Sequence, residues 1–152
     1  MKEIGFGLVG TGSIASRFAR ACAMVPGVRA AGISSRSAEK GQKFAAENGV
    51  DRVYENPTQM ALDPRIDIVY VATPHPFHYE NCMAALRAGK PILSEKPMTM
   101  TAAQARDIFD TAKARGLFAM EGMWSRFLPN IRQARAWIEA GHIGKVKMID
   151  GI

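Results

Sequence analysis

The sequence predicts an α/β fold, in which a mostly parallel sheet carries helices on both faces. Two observations support this prediction: short apolar runs alternate with segments of helical periodicity, and glycine follows most of the helical segments as a C-terminal stop. Because strands connected through helices run in the same direction, their C-terminal ends meet at one edge of the sheet. We expect the functional residues in the loops at that edge.

The strands are expected to follow the apolar runs. Ile4–Val9 is a near-continuous apolar run, which is typical of a strand buried on both faces, and residues 66–72 give the strongest strand prediction. The remaining predicted strands are Val28–Ser34, Val53–Tyr54, Ile92–Ser94, 117–120 and 146–152.

The helices are predicted from their caps and their apolar faces. Asn56 before Pro57 is typical of an N-cap followed by proline, and Thr101 with Gln104 forms a capping box. The predicted helices are 14–25, Ala38–Asn48, Pro57–Leu62, 79–88, 102–115 and 130–140. Three of them are expected to turn these residues inward: Ile14, Phe18, Cys22 and Val25 in the first, Ala105, Ile108, Phe109 and Ala112 in the fifth, and Ile131, Ala134 and Ile138 in the last.

Composition narrows the class of protein. The 152 residues suffice for one domain with a hydrophobic core, and the net charge of +6 comes from scattered residues rather than a basic run. We therefore expect an anionic small molecule rather than nucleic acid as the partner. Cys22 and Cys82 form no CxxC pair and are predicted to be buried, reduced thiols of a cytoplasmic protein. The start of the chain does not have the pattern of a signal peptide, and no apolar stretch predicts a membrane span.

The loop after the first strand has the pattern G-x-G-x-x-A, and it predicts a dinucleotide-binding (Rossmann-type) site. Its residues are Gly10, Thr11, Gly12, Ser13, Ile14 and Ala15. Gly10 permits the tight turn, Gly12 lets a pyrophosphate approach the backbone, and Ala15 lets the helix pack close to the strand. The pyrophosphate is expected at the helix N-terminus, where free N–H groups and the helix dipole favour negative charge.

The end of the second strand predicts NADP(H) in preference to NAD(H). An NAD site usually has an acidic residue here, whereas this chain has Ser34, Ser35, Arg36 and Ser37. An arginine can bind the 2′-phosphate with two hydrogen bonds, and serine hydroxyls add neutral donors. The nearest acid, Glu39, falls inside the next helix. The alternative is that Arg36 is a solvated residue at the start of that helix.

Two further loops supply candidates for the reacting end of the site. The loop after the fourth strand contains Thr73, Pro74, His75 and His78. The two histidines lack a nearby cysteine or a third ligand, so we expect no metal, and expect His75 or His78 to order the loop or contact the cofactor.

The next strand ends in Glu95, Lys96 and Pro97. A lysine here could provide the proton that carbonyl reduction requires in addition to a hydride. A surface lysine paired with Glu95 is the alternative.

These motifs, in this order along the whole chain, resemble the Gfo/Idh/MocA oxidoreductases. The resemblance rests on Gly10–Ala15, Ala72-Thr73-Pro74 with His78, Ala88-Gly89-Lys90-Pro91, Glu95-Lys96-Pro97 and Gly141-His142-Ile143-Gly144-Lys145-Val146. It implies that Lys96 is the catalytic lysine and that Glu95 and Pro97 line the cofactor. Many members have asparagine where this chain has His75, so a contact through that asparagine is not implied here.

Residues 120–129 most resemble the branch of dihydrodiol dehydrogenases and NADP-dependent aldose (xylose) dehydrogenases. This implies that Trp124 and Arg126 lie near the cofactor or the substrate. The alternative is that Trp124 and Phe127 are core or interface residues.

The resemblance also implies the domain organisation. Residues 1–145 are expected to form the NAD(P)-binding domain, and residues 146–152 the first strand of a second domain, absent from this chain, that completes the substrate site and usually forms the dimer interface. The predicted function is hydride transfer between NADP(H) and a sugar, polyol or cyclic diol, in a full-length protein expected to be a homo-oligomer. The 152-residue chain alone is expected to bind cofactor with little or no turnover. A non-enzymatic NADP-sensing or protein-interaction module is the alternative.

Overall fold

The computed structural model, which describes residues 3–150, confirms the predicted α/β architecture. Six parallel strands form one sheet in the order β3-β2-β1-β4-β5-β6. The strands are β1 Ile4–Val9, β2 Val28–Ser34, β3 Val53–Tyr54, β4 Ile68–Val71, β5 Ile92–Ser94 and β6 Ala119–Glu121. The strand order reverses between β1 and β4, which is where open α/β sheets form a binding crevice.

Residues 3–150 contain six α-helices. They are α1 Ser13–Met24, α2 Ala38–Asn48, α3 Pro57–Leu62, α4 His78–Arg87, α5 Ala102–Ala114 and α6 Pro129–Glu139. The predicted start of α3 is confirmed, because the Asn56 side chain accepts a 2.8 Å hydrogen bond from the Gln59 N–H and Pro57 is the first helical residue. The predicted end of α2 is also confirmed, since Gly49 has the left-handed φ of +64° that favours glycine.

Each face of the sheet carries its own hydrophobic core, so successive strand residues contribute to opposite cores. On β4, Tyr70 belongs to the core beneath α1 and α2, whereas Val69 and Val71 belong to the core beneath α3, α4 and α5. This two-sided burial explains why β1 reads as a continuous apolar run rather than an alternating one.

The face that α1 presents to the sheet differs from the prediction. Ala15, Ala19 and Cys22 are buried, whereas Ile14 and Val25 are exposed and Phe18 is half-buried. Small residues at this face allow the helix axis to approach the sheet closely, which larger side chains would prevent. The predicted packing role of Ala15 agrees with this arrangement.

Helix α5 corrects two smaller predictions. Ile108 and Ala112 are buried, but Phe109 is exposed. Of the capping box, only the Thr101 half forms: its hydroxyl accepts from the Gln104 N–H at 3.3 Å, while Gln104 Oε1 has no hydrogen-bond partner among the described residues.

The described chain divides into two compact units, one ending at Gly122 and the other beginning at Met123. In the second unit, the predicted inward face of α6, formed by Ile131, Ala134 and Ile138, is exposed. A unit of this size has too few residues to enclose a helix face. Residues 146–150 form no strand, because an extended segment needs a hydrogen-bonded neighbour, and residues 151–152 of that prediction lie outside the described residues.

The two cysteines are buried and free, as predicted. Burial raises the pKa of each thiol to about 11, so both remain protonated and unreactive near neutral pH. Within residues 3–150, no helix is long and apolar enough to cross a membrane.

Candidate cofactor-binding cleft

A cleft of about 970 Å³ lies at the C-terminal ends of β1, β2, β3 and β4, within the unit that ends at Gly122. Eight of the predicted site residues line it: Gly10, Thr11, Gly12, Ser34, Ser35, Arg36, Thr73 and Pro74. Ser37, the last residue of the segment predicted to bind the 2′-phosphate, lines it too. Sequence reasoning missed nine more: Val9, Lys40, Glu55, Asn56, Pro57, Ala72, Phe77, Glu80 and Asn81. The loops after β1, β2 and β4 thus meet at one cavity, as the fold class predicts.

Gly10 occupies a position that only glycine can fill. Its φ is +103°, and a Cβ there would lie 2.7 Å from the carbonyl oxygen of Ala72. The loop after β1 is therefore in direct backbone contact with the loop after β4. A hydrogen bond of 2.9 Å from the Ala72 N–H to the Val9 carbonyl joins the two strand ends beside it.

The N-terminus of α1 has no side-chain cap, unlike the starts of α2, α3 and α5. Its N-cap is Gly12, whose hydrogen in place of a Cβ faces open space, and the first turn of α1 has no acidic residue. The backbone N–H groups that begin the helix are therefore left for an external acceptor. Ser13 and Ile14 are exposed at this turn without lining the cleft, and Ala15 is fully buried beneath it.

Two cations line the cleft at the end of β2. Arg36 stands over the ring of Phe77, with 5.2 Å between the guanidinium carbon and the ring centroid. Lys40 follows one turn into α2, whose N-terminus is capped by the Ser37 side chain. Neither cation forms an ion pair with any residue that the structure describes, so both charges are available to an anionic ligand.

Two exposed carboxylates, Glu55 and Glu80, also line the cleft. Glu55 follows β3 and Glu80 lies in the first turn of α4, so neither stands at the end of β2, the position that holds a ribose 2′-OH in NAD sites. At that position the chain has the buried Ser34.

The segment 95–98, which we call the Lys96 loop, follows β5 and is held from several sides. The Met98 N–H donates a 2.7 Å hydrogen bond to Glu121 Oε1, and the Gly122 N–H donates to the Ser94 carbonyl at 2.6 Å. The Lys96–Pro97 peptide bond is cis. Lys96, Glu95 and Pro97 do not line the cleft described above.

The Glu95 carboxylate is engaged by groups other than the Lys96 ammonium. It accepts a 2.6 Å hydrogen bond from the Tyr70 hydroxyl and a 3.3 Å bond from the Lys96 backbone N–H. The structure therefore does not form the surface ion pair between Lys96 and Glu95. Burial, reinforced by the hydrogen bond to Glu95, raises the pKa of Tyr70 far above its usual range, so this hydroxyl remains a donor.

The two histidines of the loop after β4 have different environments. His75 is exposed and lies beside the His78 ring, with 5.5 Å between ring centroids. His78 is completely buried, so the structure favours loop ordering over cofactor contact for this residue. Its ring nitrogens lie against two backbone carbonyls, those of Thr73 at 2.8 Å and Pro97 at 2.9 Å.

Trp124 and Arg126 belong to the second unit, in a short 3₁₀ turn over Trp124–Phe127. Trp124 and Phe127 are exposed in this chain rather than in a core. The placement of Trp124 and Arg126 at the cofactor stays a prediction.

Comparisons with known proteins agree with this geometry. Residues 4–123 match the model of the GFO_IDH_MocA oxidoreductase family, which has an NAD-binding Rossmann fold. The chain is 40% identical to the D-xylose 1-dehydrogenase (NADP(+)) of Hypocrea jecorina, over 93% of this chain and 39% of that protein. It is 36% identical to the trans-1,2-dihydrobenzene-1,2-diol dehydrogenase of Xenopus tropicalis, over 95% of this chain and 44% of that protein.

A solved structure is similar as well. A variant of KijD10, a 3-ketoreductase from Actinomadura kijaniata in complex with TDP-benzene and NADP, superposes with a TM-score of 0.85 at 34% identity, over 95% of this chain and 45% of that one. The chain thus spans about two fifths of the length of the curated relatives it matches.

Proposed function

We propose, since this chain belongs to the Gfo/Idh/MocA oxidoreductase family, that it is the cofactor domain of a dehydrogenase that prefers NADP(H) to NAD(H). The proposed substrate is a CH–OH carbon of a sugar, polyol or cyclic diol. The observation that carries the cofactor preference is the placement of Arg36 and Lys40 in the same cleft as Gly10 and Gly12.

The cleft fits a dinucleotide with a 2′-phosphate. The uncapped N-terminus of α1 supplies backbone N–H donors for the pyrophosphate, and Gly12 leaves the approach open. Arg36 and Lys40 supply two positive charges at the end of β2, where Ser35 and Ser37 add hydroxyl donors. A ribose with a free 2′-OH would leave both of those charges without an anionic partner.

Names of the relatives support the substrate class. One is an NADP(+)-linked D-xylose dehydrogenase and another acts on a dihydrobenzene diol. Both substrates present a secondary or hemiacetal CH–OH group, which loses a hydride and a proton on oxidation.

Lys96 is proposed to hold or release the proton. When bound, NADP(H) supplies the hydride chemistry, so this chain needs a proton donor beside the reacting carbon. Lys96 follows β5, the sheet neighbour of β4, and its ammonium forms no ion pair with a described residue. Glu121 holds the Met98 N–H of the same loop, and Gly122 holds Ser94 just before it, which limits the movement of the lysine backbone.

Titration of this chain with NADPH and with NADH tests the proposal. The two ligands differ only in the 2′-phosphate, so their affinity ratio isolates the contribution of that group. Since hydrogen bonds to charged groups are worth about 1.5–3 kcal/mol, we expect NADPH to bind at least about tenfold more tightly. Equal affinities would contradict the cofactor preference, and binding of neither would contradict the dinucleotide site.

A further inference from the structure

We propose that His78 is a positioning residue that ties the Lys96 loop to the loop after β4, which lines the cofactor cleft. The proposal rests on the proposed function, because it assigns Lys96 to the reaction. His78 is the first residue of α4 and is completely buried, so it acts through its neighbours rather than on a ligand.

The His78 ring faces a pair of backbone carbonyls. Nδ1 lies 2.9 Å from the carbonyl oxygen of Pro97, the residue after Lys96. Nε2 lies 2.8 Å from the carbonyl oxygen of Thr73, a residue that lines the cleft. One rigid ring thus bridges the proposed catalytic loop and the cofactor-binding loop, which are 24 residues apart at Thr73 and Pro97.

The chemistry of these contacts is directional. A carbonyl oxygen only accepts, so each contact is a hydrogen bond when the ring nitrogen carries hydrogen. A ring with hydrogen on both nitrogens donates a hydrogen bond to each carbonyl, and a ring with hydrogen on one nitrogen donates to one carbonyl only. The ring that makes both contacts is completely buried, so a variant that lacks one nitrogen loses that contact, and the loop on that side is expected to shift.

The other bonds of the Lys96 loop do not replace this tie. The bond from the Met98 N–H connects the loop to Glu121 at the end of β6, and the bond from the Gly122 N–H reaches Ser94, the last residue of β5. Two bonds hold Glu95 to β4, one from its N–H to the Val71 carbonyl at 2.9 Å and one from the Tyr70 hydroxyl to its carboxylate, but neither reaches Pro97. Among the described residues, only the His78 contact joins the Pro97 carbonyl to the loop after β4.

Two single-donor variants separate the two halves of the tie. The amide nitrogen of asparagine can occupy the place of Nδ1 and retain the bond to Pro97. The longer glutamine places its amide nitrogen near the position of Nε2 and retains the bond to Thr73 instead. His78→Asn and His78→Gln therefore differ in which loop stays attached. His142→Gln, at an exposed histidine of the second unit, is the control.

Amide hydrogen exchange in the free chain gives a readout that does not depend on cofactor. In His78→Gln we expect the Met98 amide to exchange at least about tenfold faster than in the wild type, because the loop has lost its tie. In His78→Asn and His142→Gln the Met98 rate is expected to stay within about threefold of the wild type, while the amides of β1 and β2 are unchanged in all three.

Cofactor binding gives the second readout. The adenosine end is tested with 2′,5′-ADP, which we expect His78→Gln to bind within about twofold of the wild-type affinity, since Arg36 and Lys40 are untouched. The fluorescence of bound NADPH reports the nicotinamide environment, and we expect His78→Gln to shift it toward that of the free cofactor.

Three results would overturn the proposal. They are unchanged Met98 exchange in His78→Gln, equally accelerated exchange in His78→Asn and His78→Gln, and acceleration spread evenly through β1 and β2. If His78→Gln does not fold, the His78→Asn exchange rate decides alone: a rate within threefold of the wild type supports the tie to Pro97, and a faster one contradicts it. A wild-type chain that binds no nucleotide would defeat the proposed function, while the exchange comparison would still decide the role of His78.

Discussion

The hydroxyl of Tyr70 donates a 2.6 Å hydrogen bond to the carboxylate of Glu95, next to the proposed catalytic lysine. The same tyrosine ring stacks on Phe18 of α1, with 3.8 Å between centroids. One buried side chain, that of Tyr70, therefore contacts both α1 and the Lys96 loop. Helix α1 is the helix that is proposed to bind the pyrophosphate.

Tyr70→Phe is predicted to destabilise the domain. The substitution keeps the stack on Phe18 but removes the hydroxyl donor of the half-buried Glu95 Oε1, and we expect the free energy of unfolding to fall by about 1–3 kcal/mol. Urea denaturation measures the loss. Tyr79→Phe is the matched control, because Tyr79 donates to Asp107 at an exposed position, and it should lower stability less. Equal losses in the two variants would contradict the stabilising role of the hydrogen bond from Tyr70 to Glu95.

Stability is predicted to fall above about pH 9. Burial raises the pKa of Cys22 and Cys82 from 9.0 to about 11 in the folded state. Above pH 9 the unfolded chain therefore binds fewer protons than the folded chain. Stability is full below pH 9 and declines as pH rises toward 11. Unfolding free energies measured across this interval should decline less steeply in Cys82→Ala, and an unchanged slope would contradict the origin of the effect.

Lys40→Ala is predicted to weaken NADPH binding. Lys40 lines the cleft, whereas Lys43, also on α2, is exposed outside it and serves as the control. We expect the affinity for NADPH to fall by about threefold to thirtyfold, because the 2′-phosphate loses one positively charged partner, and the affinity for NADH to change little. A loss of equal size for both cofactors would show that Lys40 does not contact the 2′-phosphate.

Lys96→Ala is predicted to separate binding from turnover. The assay uses a protein that contains this chain and has the full length of its relatives. Its turnover of a sugar or diol should fall by about 10²- to 10⁴-fold, the usual contribution of a general acid or base. NADPH affinity should stay within about threefold, as in the control Lys113→Ala on α5. Unchanged turnover in Lys96→Ala would contradict the role of Lys96, whereas a full-length protein without turnover would favour a non-enzymatic NADP-sensing module.

Local sequence patterns are sufficient to predict most of the sheet and the part of the cleft that is formed by the loops after β1 and β2. The strand β1, the glycine loop and the N-cap at Asn56 depend on neighbouring residues, and all three are where the sequence places them. The end of β2 was predicted for the same reason, since Ser35 and Arg36 follow directly from the strand.

Features that depend on packing were predicted less well. The predicted inward face of α1 is wrong. The prediction chose Ile14 and Val25 because they are apolar, but the narrow space between helix and sheet accommodates the smaller Ala15 and Ala19. Lys40 has one sequence signal, its place in the first turn of the helix that follows Arg36. The bonds that His78 makes to two distant loops leave no local pattern, because they depend on how the loops after β4 and β5 come together.

The most direct test of the account compares the ratio of NADH to NADPH dissociation constants in the wild type, Arg36→Ala and the control Arg106→Ala, at an exposed position of α5. Removing Arg36 should weaken NADPH binding by about tenfold to a hundredfold and leave NADH binding nearly unchanged, so that the ratio collapses toward one. Arg106→Ala should keep the wild-type ratio. A ratio that Arg36→Ala leaves unchanged would contradict the claim that this cleft selects NADP(H) through its 2′-phosphate.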